Sequence, residues 1–352
     1  MPPIRVLLVD DAATVRRLVG DALAEDPALE VAGTASDGRM GLERIEALRP
    51  DVVLLDLEMP VMGGLEMLAE LRTRHPSLPV IVYSALTREG APLTMKALWM
   101  GANDVVAKPA GGIAAMRLLL RSELVPRLKA LAGRTSDVSS AAPKRSAVPA
   151  VRACGRAEVV VIGASTGGPR ALVAVLGGLP AALTASVLVV QHMPPAFMPS
   201  FTEGLASRVI VPVREARDGE PLVPGTVLVA PGGRQCVVDR ESGIARVRLT
   251  EDPPEHGCRP ALDPLLRSVA VSHGAGALAV VLTGMGSDGH EGCRSVHAAG
   301  GAVLVQDRAT SVVWGMPGLV ADHGLADAVL PPDALAAEIT RRMAPTAERR
   351  AA

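Results

Sequence analysis

Aromatic side chains are nearly missing from this chain. Two Trp, one Tyr and two Phe make up 1% of 352 residues. That excludes the stacking platforms on which single-stranded nucleic acid is held. An excess of one charge sign is also lacking. Thirty-six Lys and Arg oppose 37 Asp and Glu, for a net charge of −1, so nothing electrostatic points to a nucleic-acid partner. No uninterrupted apolar run approaches the ~20 residues that span a bilayer. The start, Met1-Pro2-Pro3-Ile4-Arg5, leads directly into a short apolar strand without a signal-peptide core. A cytoplasmic protein with no direct membrane insertion is expected. Cysteines are few and widely spaced: Cys154, Cys236, Cys258 and Cys293. No C-x-x-C pair exists, which argues against a zinc ribbon or a dithiol redox site. Reduced thiols in a reducing compartment fit.

What is present is Ala, Val and Leu in alternating patterns, at a length suited to about two domains. Short apolar runs at Arg5–Val9, Leu29–Thr34, Val52–Leu55, Val80–Tyr83 and Asp104–Ala107 predict strands, with amphipathic helices between them. That rhythm predicts a parallel sheet covered on both faces. Ile113, Met116, Leu120, Leu124 and Leu128 form one helical stripe, with Gly133 as its expected stop. From Ala132 to Arg156 periodicity gives way to Ser, Ala, Pro and scattered basic residues, the texture of a linker. Beyond it, Val159-Val-Val-Ile-Gly163 opens a second series of strands, with Val187–Val190, Thr226–Val229, Ala277–Leu282 and Ala302–Val305. Cys236–Asp239 and Ala245–Leu249 flank Gly243 as a hairpin.

Asp10 and Asp11 close the first strand, Asp56 the third, and Lys108 the fifth. In a parallel sheet these ends converge on one rim. Packed carboxylates repel unless a cation neutralises them, and hard oxygen donors suit Mg²⁺. Asp56 is then the phosphoryl acceptor, Asp10, Asp11 and Asp56 the metal ligands, and Lys108 the partner of the phosphoryl oxygens. A single acidic residue at a strand end is ordinarily a turn residue; four matched positions at three strand ends are a site. These residues resemble response-regulator receiver domains over about residues 4–131. The resemblance makes Ser84 the switch hydroxyl beside Lys108. Val105 departs from the family pattern, which often has an aromatic there, and Gly63 stands where Met-Asp-Gly is common.

The second series opens on Gly163-Ala164-Ser165-Thr166-Gly167-Gly168-Pro169, a strand running into a glycine-rich turn. A dinucleotide loop is one reading, but the spacing misses G-x-G-x-x-G and the next strand ends in Gln191-His192. A nucleophile elbow is a second, since Gly163-x-Ser165-x-Gly167 fits it formally. α/β-hydrolases, however, place the histidine last. Here the candidates run Ser165, His192, Asp288, each following a strand. A triad is defined by geometry and roles, so this third order is permissible. Ser165 would be the nucleophile, His192 the base and Asp288 its orienting carboxylate, with no cofactor. The Met285 backbone N–H in Thr283-Gly284-Met285-Gly286, helped by donors at the helix start after Ser165, would hold the oxyanion. His290, in the same loop as Asp288, competes as base. His75, His256, His273, His297 and His323 lack strand-end context and read as surface or structural.

The segments Gly-Ala-Ser165-Thr-Gly-Gly-Pro, Gln191-His192-Met193-Pro194, Leu282-Thr-Gly-Met285-Gly-Ser-Asp288-Gly and Val312-Val-Trp-Gly-Met-Pro317 are similar to the chemotaxis protein-glutamate methylesterases, the CheB family. With the receiver, the resemblance spans about residues 4–340. It implies a flavodoxin-like, doubly wound receiver over residues 1–131, a flexible linker over 132–156 and a Rossmann-like, parallel-sheet serine hydrolase over 157–345. It assigns Ser165, His192 and Asp288 to the triad. It also implies a histidine kinase as phosphodonor and methylated chemoreceptors as substrate, with glutamine deamidation in some members. A phosphorylation-gated binding module with an idle hydrolase fold, and a hydrolase acting on a non-chemotaxis sensor, are the alternatives.

Overall fold

A computed structural model describes residues 2–85, 90–108, 113–136 and 156–344. The expected linker residues 137–155, with Cys154, and also Pro109 lie outside these described residues. The chain divides into two compact units, Met1–Ala142 and Pro143–Ala352.

In the first unit, β1 (Ile4–Val9), β2 (Leu29–Ala35), β3 (Val52–Leu55), β4 (Val80–Ala85) and β5 (Asp104–Lys108) form one sheet in the order β2-β1-β3-β4-β5. Every pairing is parallel. All four residues of β3 are buried, as expected of a central strand covered on both faces. The connecting helices are α1 (Ala13–Ala24), α2 (Gly38–Leu48), α3 (Gly64–Arg74) and α4 (Gly90–Trp99). Asp37 caps α2 by accepting from the Met40 N–H at 3.0 Å. Glu66 in the first turn of α3 and Arg72 and Arg74 in its last turn match the helix dipole.

The helix predicted from Ile113 onward is α5 (Ile113–Leu119), a π-helical turn at Leu120–Leu124, and α6 (Val125–Ser136). Leu120, Leu124 and Leu128 are fully buried, so the stripe is real, although the Ile113 side chain lies outside the described residues. Gly133 does not stop the helix, which continues to Ser136. Glycine inside a helix costs only about 1 kcal/mol.

The second unit holds a seven-stranded parallel sheet. Its strands are β6 (Val159–Ala164), β7 (Ser186–Gln191), β8 (Val213–Glu215), β9 (Val227–Val229), β12 (Ala277–Val281), β13 (Ala302–Gln306) and β14 (Ala328–Leu330), in the order β14-β13-β12-β6-β7-β9-β8. β10 (Gln235–Glu241) and β11 (Ile244–Thr250) form the expected antiparallel hairpin, separate from that sheet. The edge strands β8 and β14 escape the sequence reading because each has only three residues, and β8 has Val213 as its one apolar residue. The helices are α7 (Gly168–Gly177), α8 (Met198–Ala206), α9 (Leu262–His273), α10 (His290–Ala298), α11 (Met316–Asp322) and α12 (Pro332–Met343). Leu262, Leu265, Leu266 and Val269 of α9 share one core with Val159, Val161, Ala279 and Val281 of the central strands. This packing sets the start of α9 beside the strand ends that carry the candidate residues.

Candidate functional site

In the first unit the strand order reverses between β1 and β3, where open parallel sheets bind ligands. Val9 is in register with Leu55, so Asp10 and Asp56 leave the sheet side by side. Both are buried, while Asp11 is exposed. The Lys108 Nζ donates to Asp10 Oδ2 at 2.8 Å and to Asp56 Oδ2 at 2.7 Å. Burial raises the Asp56 carboxyl above its ordinary range, against the pull of Lys108. Burial acts to lower the Lys108 ammonium, but bonds to Asp10 and Asp56 raise it overall, so it stays cationic. Carboxylate oxygens of Asp10, Asp11 and Asp56 all lie within 4.8 Å of one another. Hard donors this close fit a divalent cation such as Mg²⁺.

Ser84 is buried and pairs in register with Ala107, one step from Lys108. It makes no hydrogen bond to Asp56 or Lys108. Val105 is buried within β5, three residues before Lys108. Sequence reasoning missed Tyr83, whose buried hydroxyl has no hydrogen-bond partner among the described residues. It lines a small cavity with Asp10, Asp56, Val15 and Arg16. Burial, reinforced by the two carboxylates, pushes this phenol up to about 12.

In the second unit the three candidate residues follow three neighbouring strands. Ala164 of β6 is in register with Gln191 of β7, so Ser165 and His192 are the next residue of each strand. Gly163 is in register with Val281 of β12, whose following loop carries Asp288. The His192 Nε2 lies 2.7 Å from Asp288 Oδ2. Asp288 is 2% exposed and takes two further bonds: Leu262 N–H donates to Oδ2 at 2.6 Å and Asp263 N–H to Oδ1 at 2.9 Å. The carboxylate thus sits on the positive end of α9. Burial would raise its pKa, yet His192 and these N–H groups bring it below the ordinary value. Burial would lower the His192 imidazolium, but Asp288 and the neighbouring Cys258 raise it.

The half-buried Ser165 is not hydrogen-bonded to His192 in this resting geometry; such contacts tighten with substrate. Two glycines let the nucleophile turn form. Gly167 has φ +78°, and a Cβ there would lie 2.4 Å from Val312. A Cβ on Gly284 would lie 2.8 Å from the Ser165 Cβ.

Oxyanion donors are narrowed by the backbone. Ser165 N–H is spent on the Thr283 carbonyl at 3.0 Å, and Gly168 N–H on the Ser165 carbonyl at 2.7 Å. The expected help from the helix start after Ser165 is therefore not available from Gly168. Met285 N–H has no acceptor among the described residues. Its loop is pinned because Gly284 N–H donates to Val313 while Gly315 and Met316 donate back to Gly284.

The competing His290 is turned elsewhere: its Nδ1 is 3.0 Å from Glu291 and its ring lies 4.5 Å from that of His323. Sequence reasoning missed the layer behind the triad. The Gln191 side chain donates to the Ser165 and His192 carbonyls, both at 3.0 Å. Thr283 donates to the Thr166 carbonyl at 2.9 Å and accepts from Val313 N–H. His256, read as a surface or structural residue, is 3.3 Å from Ser287, the neighbour of Asp288.

Two family models match the chain, one within each unit. A model described as CheB methylesterase matches residues 160–339, and one described as response regulator receiver domain matches residues 6–119. A Nocardioides protein-glutamate methylesterase/protein-glutamine glutaminase is 47% identical, covering 98% of this chain and 96% of its own. The Trichodesmium erythraeum protein of the same name is 42% identical, covering 97% of this chain and 100% of its own. The crystal structure of the Thermotoga maritima CheB methylesterase catalytic domain aligns at TM-score 0.51 and 40% identity, over 52% of this chain and 97% of that one.

Proposed function

The chain belongs to the CheB methylesterase family, and from that premise we propose that it hydrolyses glutamate methyl esters on chemoreceptors, with Ser165, His192 and Asp288 as its triad. The observation that carries this is the buried His192–Asp288 pair at 2.7 Å, on the strand ends flanking Ser165. Ser165 Oγ attacks the ester carbon. Nε2 of His192 is committed to Asp288, so Nδ1 takes the serine proton. The oxyanion of the tetrahedral intermediate is held by Met285 N–H. His192 then returns its proton to the leaving methoxide, releasing methanol. Water repeats the cycle and frees the glutamate carboxylate and Ser165. A glutamine side chain would pass through the same steps with ammonia leaving.

The receiver acts as the control. Asp56 accepts a phosphoryl group from a histidine kinase, with Lys108 pairing the phosphoryl oxygens; Asp10, Asp11 and Asp56 would hold Mg²⁺. When bound, the metal would supply charge neutralisation between carboxylates and phosphoryl group. Ser84, at the neighbouring strand end, is the hydroxyl that reports phosphorylation. Residues 1–131 form this receiver, its last helix running on to Ser136 and so into the first residues of the tether expected over 132–156, and 157–345 form the esterase. No helix among the described residues is long and apolar enough to cross a membrane, in keeping with a cytoplasmic enzyme acting on the receptor's interior portion.

The test is methanol release from methylated receptor by Ser165→Ala. Losing a triad nucleophile costs on the order of 10⁴–10⁶ in kcat. A rate near that of the parent would reject the assignment and restore the idle-fold alternative.

A further inference from the structure

Among the described residues, two groups bring three metal-competent side chains together: Asp10, Asp11 and Asp56, and the separate trio Glu255, His256 and Asp263. We propose that this trio binds a divalent cation of the zinc class, beside the ester site and distinct from it.

The donor spacing supports a tetrahedral ion. Two bonds of about 2.0–2.1 Å at a tetrahedral angle hold their donor atoms about 3.3 Å apart. His256 Nε2 lies 2.9 Å from Asp263 Oδ2 and 3.9 Å from Glu255 Oε1, on either side of that value. The supporting contacts are those a metal site needs. Asp263 is 0% exposed, and its second oxygen accepts from Gly292 N–H at 2.6 Å. The other ring nitrogen of His256, Nδ1, faces Ser287 Oγ at 3.3 Å. With Nδ1–H donating to that hydroxyl, the Nε2 lone pair points at the two carboxylates. One imidazole with two carboxylates favours zinc over magnesium, which avoids nitrogen donors. The exposed His256 leaves a way in for the ion and a fourth position for water.

Arg267 is the competitor, since its Nη1 and Nη2 bond the Glu255 oxygens at 2.8 and 2.6 Å. The Arg267 and Glu255 side chains are 42% and 34% exposed, so this is a solvated ion pair worth little and readily rearranged. The bound ion would sit on the turn that supplies Asp263 N–H to Asp288, fastening the segment that holds the catalytic carboxylate.

Calorimetric Zn²⁺ titration of the full chain tests this, with Asp10→Asn and Asp56→Asn introduced to silence the other cluster. One ion per chain is expected, with Co²⁺ giving the intense visible absorption of tetrahedral coordination. Ser287→Ala should weaken binding about 10–100-fold, as loss of a supporting contact does. His256→Gln and Glu255→Gln should abolish it with unchanged melting in chelator, and Cys258→Ser should leave it intact. The proposal is overturned if the parent binds no Zn²⁺, if binding survives His256→Gln, or if Cys258→Ser removes it.

Discussion

Replacing Asp288 by Asn removes one charge and almost no volume, and the surroundings of this side chain determine the cost. Asp288 Oδ2 accepts from both His192 Nε2 and Leu262 N–H, and Oδ1 accepts from Asp263 N–H. An amide has one acceptor oxygen and one donor nitrogen. With its oxygen in the Oδ2 position, the NH₂ confronts Asp263 N–H. With its oxygen in the Oδ1 position, the NH₂ confronts Leu262 N–H and forces Nε2 of His192 to become an acceptor. The proton then moves to Nδ1, the nitrogen needed as base. Either orientation leaves a buried donor facing a donor, about 1–3 kcal/mol of stability. For a unit of this size that is roughly 2–12 °C in Tm. The loss of the imidazolium's partner and the wrong tautomer together cost on the order of 10⁴ in kcat. The assay is methanol release from methylated receptor, with a melt of the same preparation. A kcat within tenfold of the parent would show that Asp288 is not the orienting carboxylate. A full loss of rate with an unchanged Tm would show that the N–H contacts from α9 are energetically idle.

Phosphorylation should be confined to one carboxylate. A small phosphodonor with Mg²⁺ should label the parent and raise its esterase rate, and do neither in Asp56→Asn; label retained in that variant would place the acceptor elsewhere. The pH profile carries a sign. The base must be neutral, and the surroundings of His192 raise its imidazolium pKa, so kcat/KM should climb with pH through an apparent pKa above the usual histidine value of about 6.5. Cys258→Ala should move that limb to lower pH, and an unmoved limb would remove Cys258 from the account. Val61, after β3, has φ +65° and is 80% exposed. A β-branched residue is poorly suited to that conformation, so Val61→Asn should stabilise the chain by about 1 kcal/mol in a denaturant melt; a lower midpoint would refute the strain.

The two sites were legible in the sequence because each depends on side chains placed directly after apolar runs. Once Leu54-Leu55 and Val187–Val190 read as strands, Asp56 and His192 become strand-end residues with no further information. Parallel pairing then brings the ends together, as the registers Val9 with Leu55 and Ala164 with Gln191 show. Failures of the same reasoning follow from the same dependence. β8 and β14 are too short to show a period, and Gly133 reads as a helix stop in the sequence although the helix tolerates it.

The support of Asp288 was illegible for a different reason. Leu262 and Asp263 hold it with backbone N–H groups, which every residue except proline possesses. Nothing in the identity of Leu262 records that contact; what Leu262 does record is its own burial in the core of α9. That burial fixes where the helix begins, and so where its first N–H groups point. The placement of the Asp288 carboxylate is therefore inherited from apolar packing rather than from polar residues chosen for it. Gln191 lies between the two cases. Its amide bonds both the Ser165 and the His192 carbonyls, but a Gln beside a His signifies nothing until the β6–β7 register is known. The chemistry is thus carried by residue type and its geometry by register, and only residue type can be read directly from a single chain.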